Sequence, residues 1–331
     1  MSQLSPRIGA TIFVVLAAVL PLLFASGYQM FQLTMVAIYA LSVLGKNLVT
    51  GYGGQVSLGQ GAFYAVGAYT AAILIDQFDF PYWATLPVAA VTSGIVGLML
   101  GLPALRLGGL YLALVTFALA ISVPQLLKYR AFEAWTGGVQ GIVIIKPDAP
   151  FGLKLGPDQW LYLFTLAVVT VFFVVASNLV NSRVGRALKA IRDHPLAAEA
   201  MGVELARFKT ITFGVGAMLT GIGGALSAIA VGFVSPDSFS IALSLTLFVG
   251  MVVGGASSIT GAIYGALFIQ FVPNISEAIF KGAPGAVYGI ILIGFMFFAP
   301  GGLAAVIAAQ LRRWRSARAP AHAVGMGGVA N

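Results

Sequence analysis

Side chains able to make or break bonds are scarce: 331 residues hold ten carboxylates, two histidines (His194 and His322) and no cysteine. Without cysteine there is no disulfide, thiol nucleophile, iron–sulfur cluster or Cys-ligated zinc, and two histidines are too few for a His-based metal site. A Gly-x-x-x-x-Gly-Lys-Ser/Thr phosphate loop is also missing, so the chain is not expected to hydrolyse ATP itself. What remains is hydrogen-bonding chemistry placed inside apolar runs. One group is Gln55, Ser57, Gln60, Tyr64, Tyr69 and Thr70, with Thr116 further on; a second is Gln270, Asn274, Ser276 and Glu277 around Pro273. Polar groups at membrane depth are costly unless they face protein or a wet path, so these residues are candidates to line a solute route. Glycine-rich breaks near the first group would permit an interrupted helix whose free N–H groups meet a carboxylate. The same side chains also serve as ordinary hydrogen-bonding links between helices.

The elements that position them follow from composition. Hydrophobic residues make up 59% of the chain and charged residues 8%, against about a quarter charged in a soluble domain. Crossing the hydrocarbon core takes about 20 apolar residues. The apolar runs predict about ten spans, near 8–25, 29–45, 57–75, 83–101, 109–127, 160–180, 209–231, 240–256, 259–280 and 285–308, an all-α integral membrane protein. The first run, behind Arg7 and ahead of Ala25-Ser-Gly27, also fits a cleaved leader. The 41 glycines suit close backbone packing between membrane helices. Placing the amino terminus inside puts 13 Lys and Arg on the inner side, Lys46 among them, and 5 outside. The positive-inside rule then sets both termini in the cytoplasm. A net charge of +8 does not imply nucleic acid, because no water-facing domain carries a basic face.

Two connections are long. The outer one, 129–159, contains Trp135-Thr-Gly-Gly-Val-Gln-Gly141 and reads either as a turn-rich connector or as a gate or docking loop. The inner one, about 181–208, carries Arg183, Arg186, Lys189 and Arg192 at three-residue steps, which gathers them on one side of a helix, facing cytoplasm or lipid headgroups. Asp193 is expected to cap a second short helix, with His194 ahead of Pro195 in its first turn and Gly202 ending it in a left-handed conformation. That short helix is either an interfacial element held by anionic lipid or a knob for another protein. A Glu277–Lys281 ion pair is expected at four-residue spacing. Gly53-Gly54 … Ser57 … Gly61 is echoed, one residue out of register, by Gly254-Gly255 … Ser258 … Gly261. Residues 1–311 read as one transmembrane domain, and 312–331, opening with Arg312-Arg-Trp-Arg315, as a basic disordered tail.

The run Ala197-Ala-Glu-Ala-Met-Gly202 resembles the EAA loop of ABC importer permeases, departing from it at Met201. Other stretches resemble one branch of that group, the LivM-type permeases of branched-chain amino-acid importers. They are Gly51-Tyr-Gly-Gly-Gln-Val-Ser-Leu-Gly-Gln-Gly-Ala-Phe63, Gly67-Ala-Tyr-Thr70, Tyr111-Leu-Ala-Leu-Val-Thr116, Thr136-Gly-Gly … Gly141, Gly185-Arg-Ala-Leu-Lys-Ala-Ile-Arg192 and Pro300-Gly-Gly-Leu303. The resemblance implies a non-catalytic subunit of the bacterial cytoplasmic membrane that works with a LivH-like second permease, two ABC ATPases and an external solute-binding protein. ATP and magnesium would be bound by the ATPases, and this chain would hold no cofactor. Asp193, His194, Pro195, Ala198, Glu199 and Gly202 would form the ATPase-coupling helix. Leucine, isoleucine and valine are the implied cargo, with other neutral amino acids, urea, short amides and aromatic acids as alternatives within the same machinery. A neutral or zwitterionic cargo is expected, since the spans lack strongly charged side chains. Tyr52-Gly-Gly-Gln55 is similar to the ABC ATPase signature but lies in an apolar run of a chain without a phosphate loop. A stand-alone secondary transporter or channel would fit the span count, but proton coupling needs buried carboxylates or histidines that the span interiors lack. An intramembrane enzyme needs an acid–base or nucleophile set that is likewise absent.

Overall fold

A computed structural model of the chain describes residues 14–22, 25–104, 109–150, 155–279, 281, 283–299 and 301–317, and among these it is mostly helical. A helix over 14–22 (α1) is followed by α2 (Gly27–Lys46), α3 (Gln60–Phe78), α4 (Tyr82–Ala104) and α5 (Leu110–Leu127). A short α6 (Glu133–Thr136) leads to α7 (Pro157–Asn181), and the small helices α8 (Arg183–Asp193) and α9 (Pro195–Ala200) connect it to α10 (Leu205–Val231). The chain continues as α11 (Ile241–Gly254), α12 (Ile259–Ile279), α13 (Pro284–Phe298) and α14 (Gly302–Ala317).

Local sequence explains several boundaries. Ser26 opens α2 with a reciprocal cap: its backbone N–H donates to Gln29 Oε1 at 2.9 Å while its hydroxyl accepts from Gln29 N. Pro157 stands in the first turn of α7, where its missing N–H costs nothing. At its far end α2 runs directly into a π-helical turn, Asn47–Tyr52, a form that is rare and unstable in isolation and recurs at functional breaks.

Six helical segments of the described residues are long and apolar enough to cross a membrane: Gly27–Tyr52, Tyr82–Gly101, Leu110–Leu127, Pro157–Asn181, Leu205–Val231 and Ile259–Ala278. Two more apolar helices, Ile241–Gly254 and Gly285–Phe295, are shorter than a full crossing. The expected span 57–75 starts later, at Gln60, because Gly54–Gly59 is non-helical. The expected span 285–308 is two helices: α13 stops at Phe298, and α14 starts at Gly302 with φ +77. The helix over 14–22 falls within the first expected span, whose remaining residues are only partly described. Helix α14 continues to Ala317, six residues into the stretch expected to be disordered, and 318–331 lie outside the described residues.

At the centre stands α10, packed against α2, α3 and α4. Its glycines allow this. A Cβ on Gly67 of α3 would collide with the Gly221 backbone of α10, and one on Gly45 of α2 would lie 2.6 Å from the Gly216 carbonyl. Helices without a hydrophobic force between them gain from this closeness through dispersion contacts. The outer faces of α5 and α7 expose Leu114, Ile121, Val171 and Val174, the pattern of a surface solvated by lipid tails.

The two ends of the bundle differ. At one end the described residues of the 129–159 connection are tied to the rest of the fold. Its strand β1 (Ile142–Val143) pairs antiparallel with β2 (Phe233–Val234), which follows α10. Lys128 bonds Asp237 at 2.5 Å and Lys146 bonds Asp158 at 2.9 Å, closing a small lid. At the opposite end lie α8, α9, the π turn and the Gly255–Ser258 connection between α11 and α12.

Candidate functional site

The α8–α9 unit is built by local capping. Ser182 accepts a hydrogen bond from Val184 N at 3.1 Å and starts α8, which buries Gly185, Leu188 and Ile191 and leaves Arg183 and Arg186 exposed. Helix α9 ends in a double hydrogen bond characteristic of a left-handed cap: Gly202 N reaches Glu199 O at 2.9 Å, and Val203 N reaches Ala198 O at 3.0 Å. Gly202 has φ +83, as expected of the residue after a helix end. Asp193 does not cap α9. His194 occupies the N-cap without a side-chain bond, and the Asp193 carboxylate instead holds Arg192 Nε at 2.8 Å. Proximity decides this, since the guanidinium is the adjacent side chain.

Ala198 is buried and seats α9 against the bundle, while Asp193, His194, Pro195, Glu199 and Gly202 are exposed. Leu196 and Met201, 83% and 87% exposed, project from the same unit. These two residues escaped the sequence reading, where Met201 counted only as a departure from a motif. Their signal is two large apolar side chains in and just after a helix otherwise made of Pro195, alanines and Glu199. Glu199, Gly202, Val203, Glu204 and Lys209 line an open groove beside them.

The residues expected along a route divide into two groups. Gln55, Ser57, Gln60, Tyr64 and Thr116 come together, all buried, around the non-helical stretch before α3. Thr116 Oγ1 accepts from Leu58 N at 2.9 Å, Gln60 Oε1 accepts from the Thr220 hydroxyl at 2.8 Å, and Gln55 Nε2 donates to Lys209 O at 3.2 Å. At the break two N–H groups are taken up by side chains: Gly59 N donates to Ser57 Oγ and Gly61 N to Ser244 Oγ. Tyr64 packs on Phe239, their ring centres 6.1 Å apart. Among the described residues Gln55 Oε1, Gln60 Nε2 and the Tyr69 hydroxyl are buried without a hydrogen-bond partner, which is uncommon in folded interiors. Gln270 and Asn274 do not join this group. Gln270 is half-buried and Asn274 exposed on α12, where Asn274 Nδ2 donates to Gln270 O at 3.3 Å. Among the described residues no ion pair joins Glu277 to Lys281.

Lys46 corrects the sequence reading. Counted there among inner-surface cations, it is fully buried, donates to Ser57 O at 2.5 Å and lies 4.9 Å above the Phe248 ring. The cations of α8 do not all face outward to solvent or lipid either. Arg192 Nη1 donates to Gly51 O at 3.2 Å and to Ser257 Oγ at 2.5 Å, and Lys189 stands 5.8 Å over the Tyr52 ring. Asn47 completes the junction, accepting from Ser257 N and donating to Ser258 O, each at 2.7 Å. No three His, Asp or Glu residues among those described come together as a metal site.

Fold and site together are those of a multi-pass α-helical membrane protein with a capped knob outside the bundle. The profile for the branched-chain amino acid transport system permease component matches residues 28–300. Over 302 residues the chain is 32% identical to the LivM permease protein of the high-affinity branched-chain amino acid transport system of Salmonella typhimurium, covering 84% of this chain and 70% of that protein. The LivM protein of Escherichia coli matches with the same identity and coverage. The probable branched-chain amino acid transport permease protein LivH of Methanocaldococcus jannaschii is 26% identical over 268 residues, 77% of this chain and 84% of that protein. No solved structure matches the chain. The chain belongs to the family of branched-chain amino acid transport permease components, within the ABC transporters, and is a homologue of LivM.

Proposed function

We propose that this chain is the membrane-spanning permease subunit of an ATP-driven importer in the bacterial cytoplasmic membrane, taking up leucine, isoleucine and valine. It crosses about ten times with both termini in the cytoplasm. A LivH-like permease completes the membrane part, two ABC ATPases bind ATP and magnesium on the inner side, and an external protein delivers the solute. The observation that carries this reading is the α8–α9 knob, where Leu196 and Met201 are exposed beside Glu199 outside the apolar bundle. Large apolar side chains in that position bind a protein groove more readily than they tolerate water. Asp193, His194, Pro195, Ala198, Glu199 and Gly202 shape and seat that knob, so that ATPase movement displaces it as a unit. Gln270, half-buried, and Asn274, exposed, are polar residues within the apolar segment Ile259–Ala278, and in this reading they line the route against the second permease. Gln55, Ser57, Gln60, Tyr64 and Thr116 hold the broken segment before α3, next to that route. The cargo is neutral or zwitterionic, since Lys46 is engaged with Ser57 and Phe248 rather than with open space.

The test is uptake into proteoliposomes by the co-expressed complex and its binding protein, with labelled leucine, phenylalanine, urea and benzoate. Leucine uptake that needs both ATP and the binding protein is expected. Uptake of another solute keeps the mechanism and changes the cargo, whereas uptake without ATP rejects the mechanism. In the same assay Glu199→Lys and Gly202→Pro abolish uptake with membrane insertion intact. Normal uptake by both removes the knob from the account.

A further inference from the structure

The knob is fastened to the bundle by more than its own chain ends, and the fastening point is Arg192. Its guanidinium meets Gly51 O at 3.2 Å and Ser257 Oγ at 2.5 Å, and Ser257 Oγ also donates to Gly51 O at 2.6 Å. Gly51 belongs to the π turn that ends α2, where carbonyls lack their usual helical partners and a cation is favoured. Ser257 lies between α11 and α12 at φ +63, and only it and Asp79 are non-glycine residues of positive φ among those described. Such strain is kept where surrounding contacts over-determine it, and it concentrates at switch points. Asn47 supplies those contacts, bonding Ser257 N and Ser258 O together. On the other side Gly54, at φ +66, lies against the Arg192 stem, where a Cβ would come within 3.0 Å of Arg192 Cγ. The two parts of the internal sequence echo, around Gly53-Gly54 and Gly254-Gly255, thus occupy the two connections joined by one guanidinium. Beyond Gly54 the first connection leads to Ser57, held by Lys46, and to Leu58, held by Thr116.

We infer that Arg192 is the positioning residue that passes displacement of the knob to both connections at once, shifting α2–α3 and α11–α12 together. The inference rests on the reading of the knob as the ATPase dock. It is tested in the complete complex, in proteoliposomes with ATP and the binding protein, by measuring hydrolysis and uptake side by side. With Arg192→Gln the ATPases stay bound and hydrolysis remains within about twofold of the parent, while uptake falls about tenfold, the scale of a typical coupling between sites. Arg192→Lys recovers part of the uptake. Hydrolysis and uptake falling in proportion, or neither falling, overturns the inference. Where Arg192→Gln does not assemble, Ser257→Ala decides: it leaves the guanidinium in place, the same split is expected of it, and normal uptake overturns the inference. A parent complex that retains no ATPase or transports without ATP refutes the underlying reading, whatever the variants do.

Discussion

Lys46 is enclosed by protein, its Nζ set between a backbone carbonyl and an aromatic face. The four-carbon stem fills space between helices, and the Nζ donates to the Ser57 carbonyl, which would otherwise be orphaned in an apolar setting. Lys46→Ala removes both contributions and is expected to cost about 2–4 kcal/mol of stability. Lys46→Met keeps the volume and loses only the donor, so it should cost less. Thermal unfolding in detergent ranks the two, and an alanine variant as stable as the parent would remove this role. Neither the burial of Lys46 nor the reach of Arg192 was legible in the sequence. A lysine near the end of an apolar run and an arginine in a basic stripe fit the inner-surface pattern, and their partners lie 11 residues away for Ser57, 141 for Gly51 and 65 for Ser257. Gly202 was legible because a left-handed helix end is a local matter, settled by four neighbouring residues.

At the scale of elements, the contact between α3 and α10 depends on backbones meeting at Gly67 and Gly221. Gly67→Leu inserts a side chain where no space exists and is expected to destabilise the pair by about 1–3 kcal/mol or more. Earlier thermal unfolding and faster proteolysis between α3 and α10 are the observable results, and unchanged behaviour would mean that the helices are not in contact. Apolar length located α2, α4, α5, α7, α10, α11 and α12 within a few residues, because crossing lipid imposes that length directly. The same criterion carried a predicted span through Pro300-Gly-Gly302, since averaging hydropathy over a long window hides a break made by a few residues. It also began α3 early, because nothing local distinguishes a helical Ser57 from one held by Lys46 and Gly59. The lid was legible only as a long connection. Its β1–β2 ladder joins residues about ninety positions apart and leaves no local trace.

For the molecule as a whole, the lid end and the knob end should open to different compartments. The chain contains no cysteine, so a single introduced thiol reports one location. Val139→Cys in the lid should react with a membrane-impermeant maleimide in right-side-out vesicles, and Glu204→Cys beside the knob only in inside-out vesicles. Labelling of both from one side, or from the reverse sides, would contradict the orientation. The central place of α10 also sets a timetable for biosynthesis. The face that α2, α3 and α4 turn toward α10 has no partner until residue 231 has been made, about 150 residues after α3 ends. At ribosomal speed this is a wait of about 8–30 s. During that interval Gln60 lacks the Thr220 hydroxyl that it meets in the finished fold. The nascent first half is therefore a client for insertion factors and membrane proteases, and synthesis stopped before α10 leaves a fragment marked for removal by its own unsheltered polar groups.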